Sequence, residues 1–322
     1  MQKYTVASSR FPSSRRPPRR HPIERPSEPA TDPGATPGAR LRALLGRPEP
    51  LVLPGAADAL TARLVEQAGF GAVYATGAGI ANVLLGVPDI GLTTMTELAD
   101  QVARIVAAVG IPVVADIDTG FGNALNARRA VAEFERAGVA AIQIEDQTFP
   151  KRCGHFRGKD VVPLEEMLAK LEAVIDARRD PSLVVIARTD ALAVAGFEDA
   201  VERGVAYARA GADVVFVEAP TDREQLAALP GRIDAPLLVN MVEGGRTPLL
   251  GAAELGALGY RIVLFANTTL RVAARAAAEA LAELRETGDA RGLQDRMLAW
   301  DDRQALVGLP EYEALAERYR NG

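Results

Sequence analysis

From Leu41 onward, short apolar runs alternate with longer stretches in which apolar residues recur every three to four positions. The runs are Leu51 to Leu53, Ala72 to Ala75, Pro112 to Ala115, Ala140 to Ile144, Leu183 to Ala187, Asp213 to Val217, Pro236 to Val239 and Arg261 to Phe265. Between them the helical period predicts helices over Thr94 to Val109, Ala124 to Ala137, Leu164 to Arg178 and Glu198 to Ala210, with Gly69, Gly110, Gly138, Gly211 and Gly259 as C-terminal stops. Ala-Gly pairs at 68–69, 137–138 and 210–211 repeat the joint from helix to strand. Eight strands alternating with helices predict an α/β fold, a (β/α)8 TIM-type barrel. An open doubly wound sheet is the rival, and the eightfold count favours closure. Asn267 to Glu286 reads as one long, alanine-rich helix and Arg291 to Arg320 as helical. This C-terminal extension packs either on its own barrel or on a partner subunit.

Composition changes the picture at the N-terminus. The first forty residues hold eight prolines and eight Lys/Arg against three acids, without apolar periodicity, so they cannot bury enough surface to offset chain entropy. The expected organisation is a disordered extension over 1–40, a catalytic barrel over 41–287 and a helical extension over 288–322. Without the first segment the chain has 29 basic and 39 acidic residues, about −10 for the body against about +5 for the tail. Nothing on the acidic body suggests nucleic acid. No apolar run reaches the ~18 residues of a membrane span, and a secretory h-region is missing. The one cysteine excludes an intramolecular disulfide and suits a reducing cytoplasm.

Polar residues collect where the apolar runs stop. Thr76, Asp116, Asp118, Glu145, Arg188, Asp190, Glu218 and Asn240 each stand at or just past a strand's C-terminal end, the face on which closed barrels carry their active sites. Helix capping is the alternative for the acids, but it does not explain Arg188 or Asn240. Asp116 and Asp118, in VVADIDTGFG, are two apart and project to one side if the strand continues that far. Oxygen ligands without a nearby histidine suit Mg²⁺ or Mn²⁺. Glu145 on the next strand and Asp89 in a loop strengthen that reading, and Gly120 and Gly122 allow a tight turn around an ion. Thr76-Gly77-Ala78-Gly79 is either an anion cradle for a substrate acid or a simple tight turn.

The stretch Ala140 to Lys159, AAIQIEDQTFPKRCGHFRGK, concentrates the remaining chemistry. Cys153 lies beside Lys151, Arg152, Gly154 and His155. A lone cysteine is commonly an inert small hydrophobe. Two cations, a histidine and a glycine instead make a setting that lowers a thiol's pKa and turns it into a proton donor or nucleophile.

The segments YATGAG, GVPDIGL, VVADIDTGFG, IQIEDQ, PKRCGH, IARTDA and VNMVEGGRTP, in this order, resemble the isocitrate lyase and phosphoenolpyruvate mutase superfamily from about Leu41 to about Arg285. The resemblance is closest to the short branch with 2-methylisocitrate lyase, 2,3-dimethylmalate lyase and carboxyphosphonoenolpyruvate phosphonomutase, and K-R-C-G-H is its most specific element. It implies a barrel whose eighth helix swaps to a neighbouring subunit, homotetramers built from such dimers, and a Mg²⁺-dependent site closed by the cysteine loop. By position, Asp116 resembles the direct metal ligand, and Asp89, Asp118 and Glu145 the carboxylates that hold the ion through water. Thr76, Gly77 and Ala78 match the cradle for the 2-oxo acid carboxylate, where methylisocitrate lyases usually have Ser-Gly-Gly. Arg188 matches the arginine that steadies the developing oxyanion. Glu218, Asn240 and Gly154 match substrate-side positions, and Ala266 stands where relatives commonly carry proline.

Cleaving the carbon–carbon bond of a 2-hydroxy acid requires loss of the hydroxyl proton, after which the alkoxide collapses to a 2-oxo acid and expels a carbanion, so first an oxygen charge and then a carbanion must be stabilised. A divalent ion with Arg188 serves the first. Cys153, among Lys151, Arg152 and His155, is the candidate acid that quenches the second. The expected activity is a Mg²⁺-dependent lyase acting on a 2-hydroxy di- or tricarboxylate, with 2-methylisocitrate favoured. Alternatives are an oxaloacetate decarboxylase, a carboxyphosphonoenolpyruvate-type phosphonomutase, and a barrel that binds a dicarboxylate without turning it over.

Overall fold

The computed structural model describes residues 34–152, 154 and 158–320. In chain order the regular elements are α1 (Pro37–Leu45), β1 (Leu51–Ala56), α2 (Ala59–Gln67), β2 (Val73–Ala75), α3 (Gly77–Ile80), α4 (Met95–Ala108), β3 (Val113–Asp116) and α5 (Ala124–Ala137). They continue with β4 (Ala141–Glu145), α6 (Leu164–Ala177), β5 (Val184–Thr189), α7 (Phe197–Arg209), β6 (Val214–Val217), α8 (Arg223–Arg232), β7 (Leu237–Asn240), α9 (Ala252–Leu258) and β8 (Tyr260–Phe265). Three helices close the chain: α10 (Thr268–Thr287), α11 (Trp300–Leu306) and α12 (Leu309–Arg320).

All eight expected strands form, each pairs in parallel with its sequence neighbours, and β1 closes on β8 with Leu51 opposite Ile262 and Leu53 opposite Leu264. The (β/α)8 barrel is therefore closed, and the open sheet is excluded. Parallel strands covered by helices outside and side chains inside are apolar on both faces, which is why they read as unbroken runs. Outward residues such as Val113, Ala115, Ile142, Val185 and Val215 join the helices in one core cluster. Inward residues such as Leu53, Tyr74, Val114, Ile186, Phe216, Leu238 and Ile262 fill the barrel. Leu41 and Leu44 of α1 belong to that inner cluster, so α1 plugs the N-terminal end of the barrel and leaves the C-terminal end for chemistry.

Local signals set the helix ends. Thr94 and Glu97 form a reciprocal capping box on α4, and Asn123 caps α5. Gly69, Gly138, Gly211 and Gly259 take the left-handed conformation expected of helix stops, whereas Gly110 does not. Val109 ends α4 in an extended conformation. The N–H of Gly110 donates to Glu66 and its carbonyl accepts from Arg40, so tertiary contacts replace a local cap. The boundary expected at 40/41 falls inside α1, whose cap is Thr36 and whose burial of Leu41 ties it to the barrel. The stretch Arg291 to Arg320 is not one helix: a 3-10 segment, Arg291–Arg296, precedes α11, and Gly308, with φ 79°, separates α11 from α12.

Candidate active site

Alternation along the strands aims the rim residues inward. On β3, Val114 faces the barrel and Asp116 follows it; on β5, Ile186 and then Arg188; on β4, Gln143 and then Glu145. The expected continuation of β3 to Asp118 does not occur. The strand ends at Asp116, and Asp118 has φ 48°, a left-handed conformation that aspartate adopts more readily than most residues. Its N–H donates to Asp116 Oδ1 at 3.1 Å. The two buried carboxylates converge all the same, through a turn instead of a pleat: a Cβ on Gly77 would lie 3.0 Å from Asp116 Oδ2 and 3.2 Å from Asp118 Oδ1. Glycine lets the backbone after β2 rest directly on the acid pair, where a side chain would press the carboxylates back by a few tenths of an ångström. That backbone is the start of α3, and Thr76 caps it by accepting from the Gly79 N–H at 3.3 Å. A helix start leaves its first N–H groups, those of Gly77 and Ala78, without intrahelical acceptors.

Lys151 is 4% exposed and bridges Asp89 and Asp118, with its ammonium 2.5 Å from Asp89 Oδ1 and 2.7 Å from Asp118 Oδ1. Across the rim, the buried Arg188 guanidinium contacts Glu145 Oε2 at 3.2 Å and Glu218 Oε2 at 3.2 Å. It also makes a two-point contact with Asp190, Nε to Oδ2 at 2.9 Å and Nη2 to Oδ1 at 3.1 Å, and lies 5.3 Å from the centre of the Phe216 ring. Gly154 sits against this group: a Cβ there would come within 2.4 Å of Arg188 Nη2 and 2.7 Å of Glu218 Cδ. Asn240 ends β7, and its Oδ1 is buried without a hydrogen-bond partner among the described residues, as is Glu145 Oε1. Cys153 and His155 lie outside the described residues. The stem of their loop is closed by an antiparallel bridge between Gln147 and Val161, with the Thr148 N–H donating to the Asp160 carbonyl at 2.9 Å.

The charges are crowded enough to move one another. Burial, and then the Asp118 charge, raise the Asp116 carboxyl above the usual range. Burial raises Glu145 well above it despite Arg188. Burial opposes the charge of Lys151, yet Asp118, Glu145, Asp89 and Asp116 hold its ammonium firmly protonated. Burial and the Asp116 charge keep Tyr74, one layer down inside the barrel, a neutral phenol.

Among the described residues no group of three His, Cys, Asp or Glu side chains is arranged to hold a metal by side chains alone. The donor set still fits a hard divalent ion that keeps most of its water. Asp116 and Asp118 converge, Glu145 carries a buried acceptor with no hydrogen-bond partner among the described residues, and all the donors are oxygens. Among the described residues, six rim carboxyl groups, Asp89, Asp116, Asp118, Glu145, Asp190 and Glu218, face three cations, Lys151, Lys159 and Arg188. A bound cation or the protons that Asp116 and Glu145 hold can meet that imbalance.

Asp146, which with Glu145 ends the Ala140 to Ile144 run, and Lys159 also join this network, with no site role expected of either from the sequence. Lys159 bonds the Gly154 carbonyl and Asp190. Asp146, fully buried, accepts from the Thr189 hydroxyl at 2.7 Å, the Tyr207 hydroxyl at 2.7 Å, Arg203 at 3.2 Å and the Asp190 N–H at 2.9 Å. Composition held one signal for Lys159. Arginine is this chain's ordinary base, and its lysines are only Lys3, Lys151, Lys159 and Lys170. The last three are all buried.

Residues 41–285 match the family described as phosphoenolpyruvate phosphomutase. The chain is 45% identical to 2,3-dimethylmalate lyase of Eubacterium barkeri over 88% of its own length and 98% of that protein. It is 44% identical to 2-methylisocitrate lyase of Aeropyrum pernix, over 85% and 88%, and 40% identical to a chloroplastic carboxyvinyl-carboxyphosphonate phosphorylmutase of Arabidopsis thaliana, over 88% and 84%. Among solved structures it superimposes on oxaloacetate acetylhydrolase bound to 3,3-difluorooxalacetate with a TM-score of 0.84 at 36% identity, covering 88% of this chain and 97% of that one. Phosphonopyruvate hydrolase in complex with oxalate and Mg²⁺ gives a TM-score of 0.80 at 34% identity, over 88% and 99%. With its barrel and most of its length matched in this way, the chain belongs to the phosphoenolpyruvate phosphomutase family.

Proposed function

We propose that the chain is a carbon–carbon lyase that cleaves a 2-hydroxy di- or tricarboxylate of the 2-methylisocitrate or 2,3-dimethylmalate type to pyruvate or a similar 2-oxo acid and a carboxylic acid. The observation that carries this reading is the pairing, across one barrel mouth, of the buried Asp116–Asp118 acid pair with a buried arginine held among Glu145, Asp190 and Glu218. Asp116 would hold Mg²⁺ directly and Asp89, Asp118 and Glu145 through water; Mn²⁺ is the other fitting ion. Bound there, the ion supplies Lewis-acid stabilisation of charge on substrate oxygens. Thr76, Gly77 and Ala78 receive the substrate carboxylate, and Glu218 and Asn240 contact its remainder. Arg188 steadies the alkoxide left when a general base takes the hydroxyl proton; that alkoxide collapses to the carbonyl of the 2-oxo acid as the carbon–carbon bond breaks and its electron pair leaves as the carbanion. Cys153 donates the proton that quenches the carbanion, with His155 and Arg152 near it in sequence. Lys151 bridges Asp89 and Asp118 and holds the two side chains together. The working assembly is a homotetramer, with the C-terminal helices covering a partner, and the place of action is the cytoplasm. No helix among the described residues is long and apolar enough to cross a membrane.

The test is pyruvate release, coupled to lactate dehydrogenase, from 2-methylisocitrate, 2,3-dimethylmalate and oxaloacetate, with Mg²⁺ or with EDTA. EDTA-sensitive turnover that disappears in Cys153→Ser is the expected result; no turnover of any of the three sinks the lyase reading. The similarity to the Arabidopsis phosphorylmutase supports a phosphonomutase as the second reading, and a phosphonate panel would then decide it.

A further inference from the structure

Lys159 is a buried cation to which the chemistry above gives no task. Its side chain is 1% exposed, and an ammonium is held that deep only when its hydrogens are taken up by charged or strongly polar acceptors. Two acceptors are in place, the Gly154 carbonyl oxygen at 2.5 Å and Asp190 Oδ1 at 2.5 Å. Those two groups both meet one guanidinium. Asp190 accepts from Arg188 Nε and Nη2, and the Gly154 backbone lies so close to Nη2 that no side chain fits between them. Lys159 therefore fastens the peptide that rests on Arg188 to the carboxylate that holds it.

The fastening has a fixed end. Asp190 is held from behind by its N–H to Asp146, which Thr189, Tyr207 and Arg203 saturate in turn. Gly154 lies in the loop beyond β4, which ends at Glu145, and its carbonyl is held by Lys159. The fastening also has an electrostatic effect. Arg188 faces three carboxylates, and an arginine so outnumbered has little positive potential left for a substrate oxygen. Lys159 takes up part of the Asp190 charge and returns that potential to Arg188.

We infer that Lys159 is a positioning residue that sets both the place of the Gly154 backbone and the charge available on Arg188. The inference rests on the reading of Arg188 as the group that steadies oxygen charge. Its test uses the full chain with Lys159→Met and Lys159→Gln, and two independent readouts. The first is steady-state kinetics on whichever substrate the wild type turns over: kcat should fall by about 10²-fold, as for loss of one preorganised donor, with KM changing far less. The second is alkylation by iodoacetamide of the chain's single thiol, the sequence neighbour of Gly154, with Mg²⁺ and oxalate present. Both variants should react several-fold faster than wild type while keeping its melting temperature to within a few degrees. Alkylation at the wild-type rate overturns the inference whether or not any substrate is turned over, so it can fail apart from the lyase reading. A kcat within about twofold of wild type overturns it as well, and so does loss of folding in both variants, which would make Lys159 a stability residue.

Discussion

Burial sets the behaviour of individual residues at the barrel mouth. Asp116 and Glu145 are inward-facing carboxyls whose protons are held more tightly in the folded chain than in the unfolded one, chiefly because charge is costly where water is excluded. The sign of the consequence is fixed. A group whose folded pKa is raised contributes stability that is fully present below its unfolded pKa and is lost as pH rises through the folded value. The metal-free protein should therefore lose stability as pH climbs above the ordinary carboxylate range. A divalent ion, which replaces those protons, should restore it. Melting temperatures with Mg²⁺ and with EDTA, taken at about pH 5.5 and about pH 8, should show the larger Mg²⁺ effect at the higher pH. An equal effect at both would show that these carboxyls do not exchange protons for metal. The left-handed Asp118 belongs to this scale too. Its conformation was not legible in VVADIDTGFG, because whether a strand stops or continues depends on which neighbour accepts its next hydrogen bond. Here the Ile117 N–H still donates to Gln143 while that of Asp118 turns back to Asp116.

Among the elements, closure between the first and last strands decides whether the fold has a mouth at all. Gly55, near the end of β1, faces the chain just past β8 so closely that a Cβ would fall 1.9 Å from the Ala266 carbonyl oxygen and 2.6 Å from its carbon. Both are backbone atoms and cannot swing aside. Gly55→Ala should therefore part β1 from the segment after β8 and destabilise the fold by about 1–3 kcal/mol, the range for forcing extra volume into a packed site. A lower midpoint in urea with an unchanged slope would bear this out, and an unchanged midpoint would mean that the seam is soft. Most helix limits were legible because their determinants are local: Thr94 with Glu97, Asn123, and the left-handed glycines. Gly110 and the broken Arg291 to Arg320 segment were not, since both are settled by what the chain meets in space.

For the whole molecule, the unanswered surface is C-terminal. No residue of α10 is buried, and Ala274, Ala277, Leu281 and Leu284 follow one another at helical spacing along an exposed stripe. Leu281 is 65% exposed, and beyond it Trp300 is 70% exposed. On the barrel side α10 is anchored near its start, by the Thr269 hydroxyl on the Gly55 carbonyl at 2.7 Å and by Thr268 and Arg271 on Glu243, and further along Arg296 pairs with Glu283. Helices that leave such a stripe uncovered call for a second surface. Sedimentation equilibrium should give a four-chain mass, and Leu281→Asp should shift it to smaller species. A wild-type monomer would instead return these helices to the solvent.

The sequence by itself determined the number, order and type of the strands, the closed barrel they make, and the acids, arginine and asparagine that stand at its mouth. These rest on period, composition and position along the chain, which are local or nearly so. Tertiary structure alone decided how the charges are partnered. It turned Asp118 back onto Asp116, set Lys151 between Asp89 and Asp118, gave Arg188 three carboxylates, and buried Lys159 between Gly154 and Asp190. Lys151 with Asp89 and Asp118, Arg188 with Glu145 and Glu218, and Lys159 with Asp190 join residues from different strands or loops, and the strength of every pairing depends on distance and on exclusion of water, neither of which is written in the order of the residues.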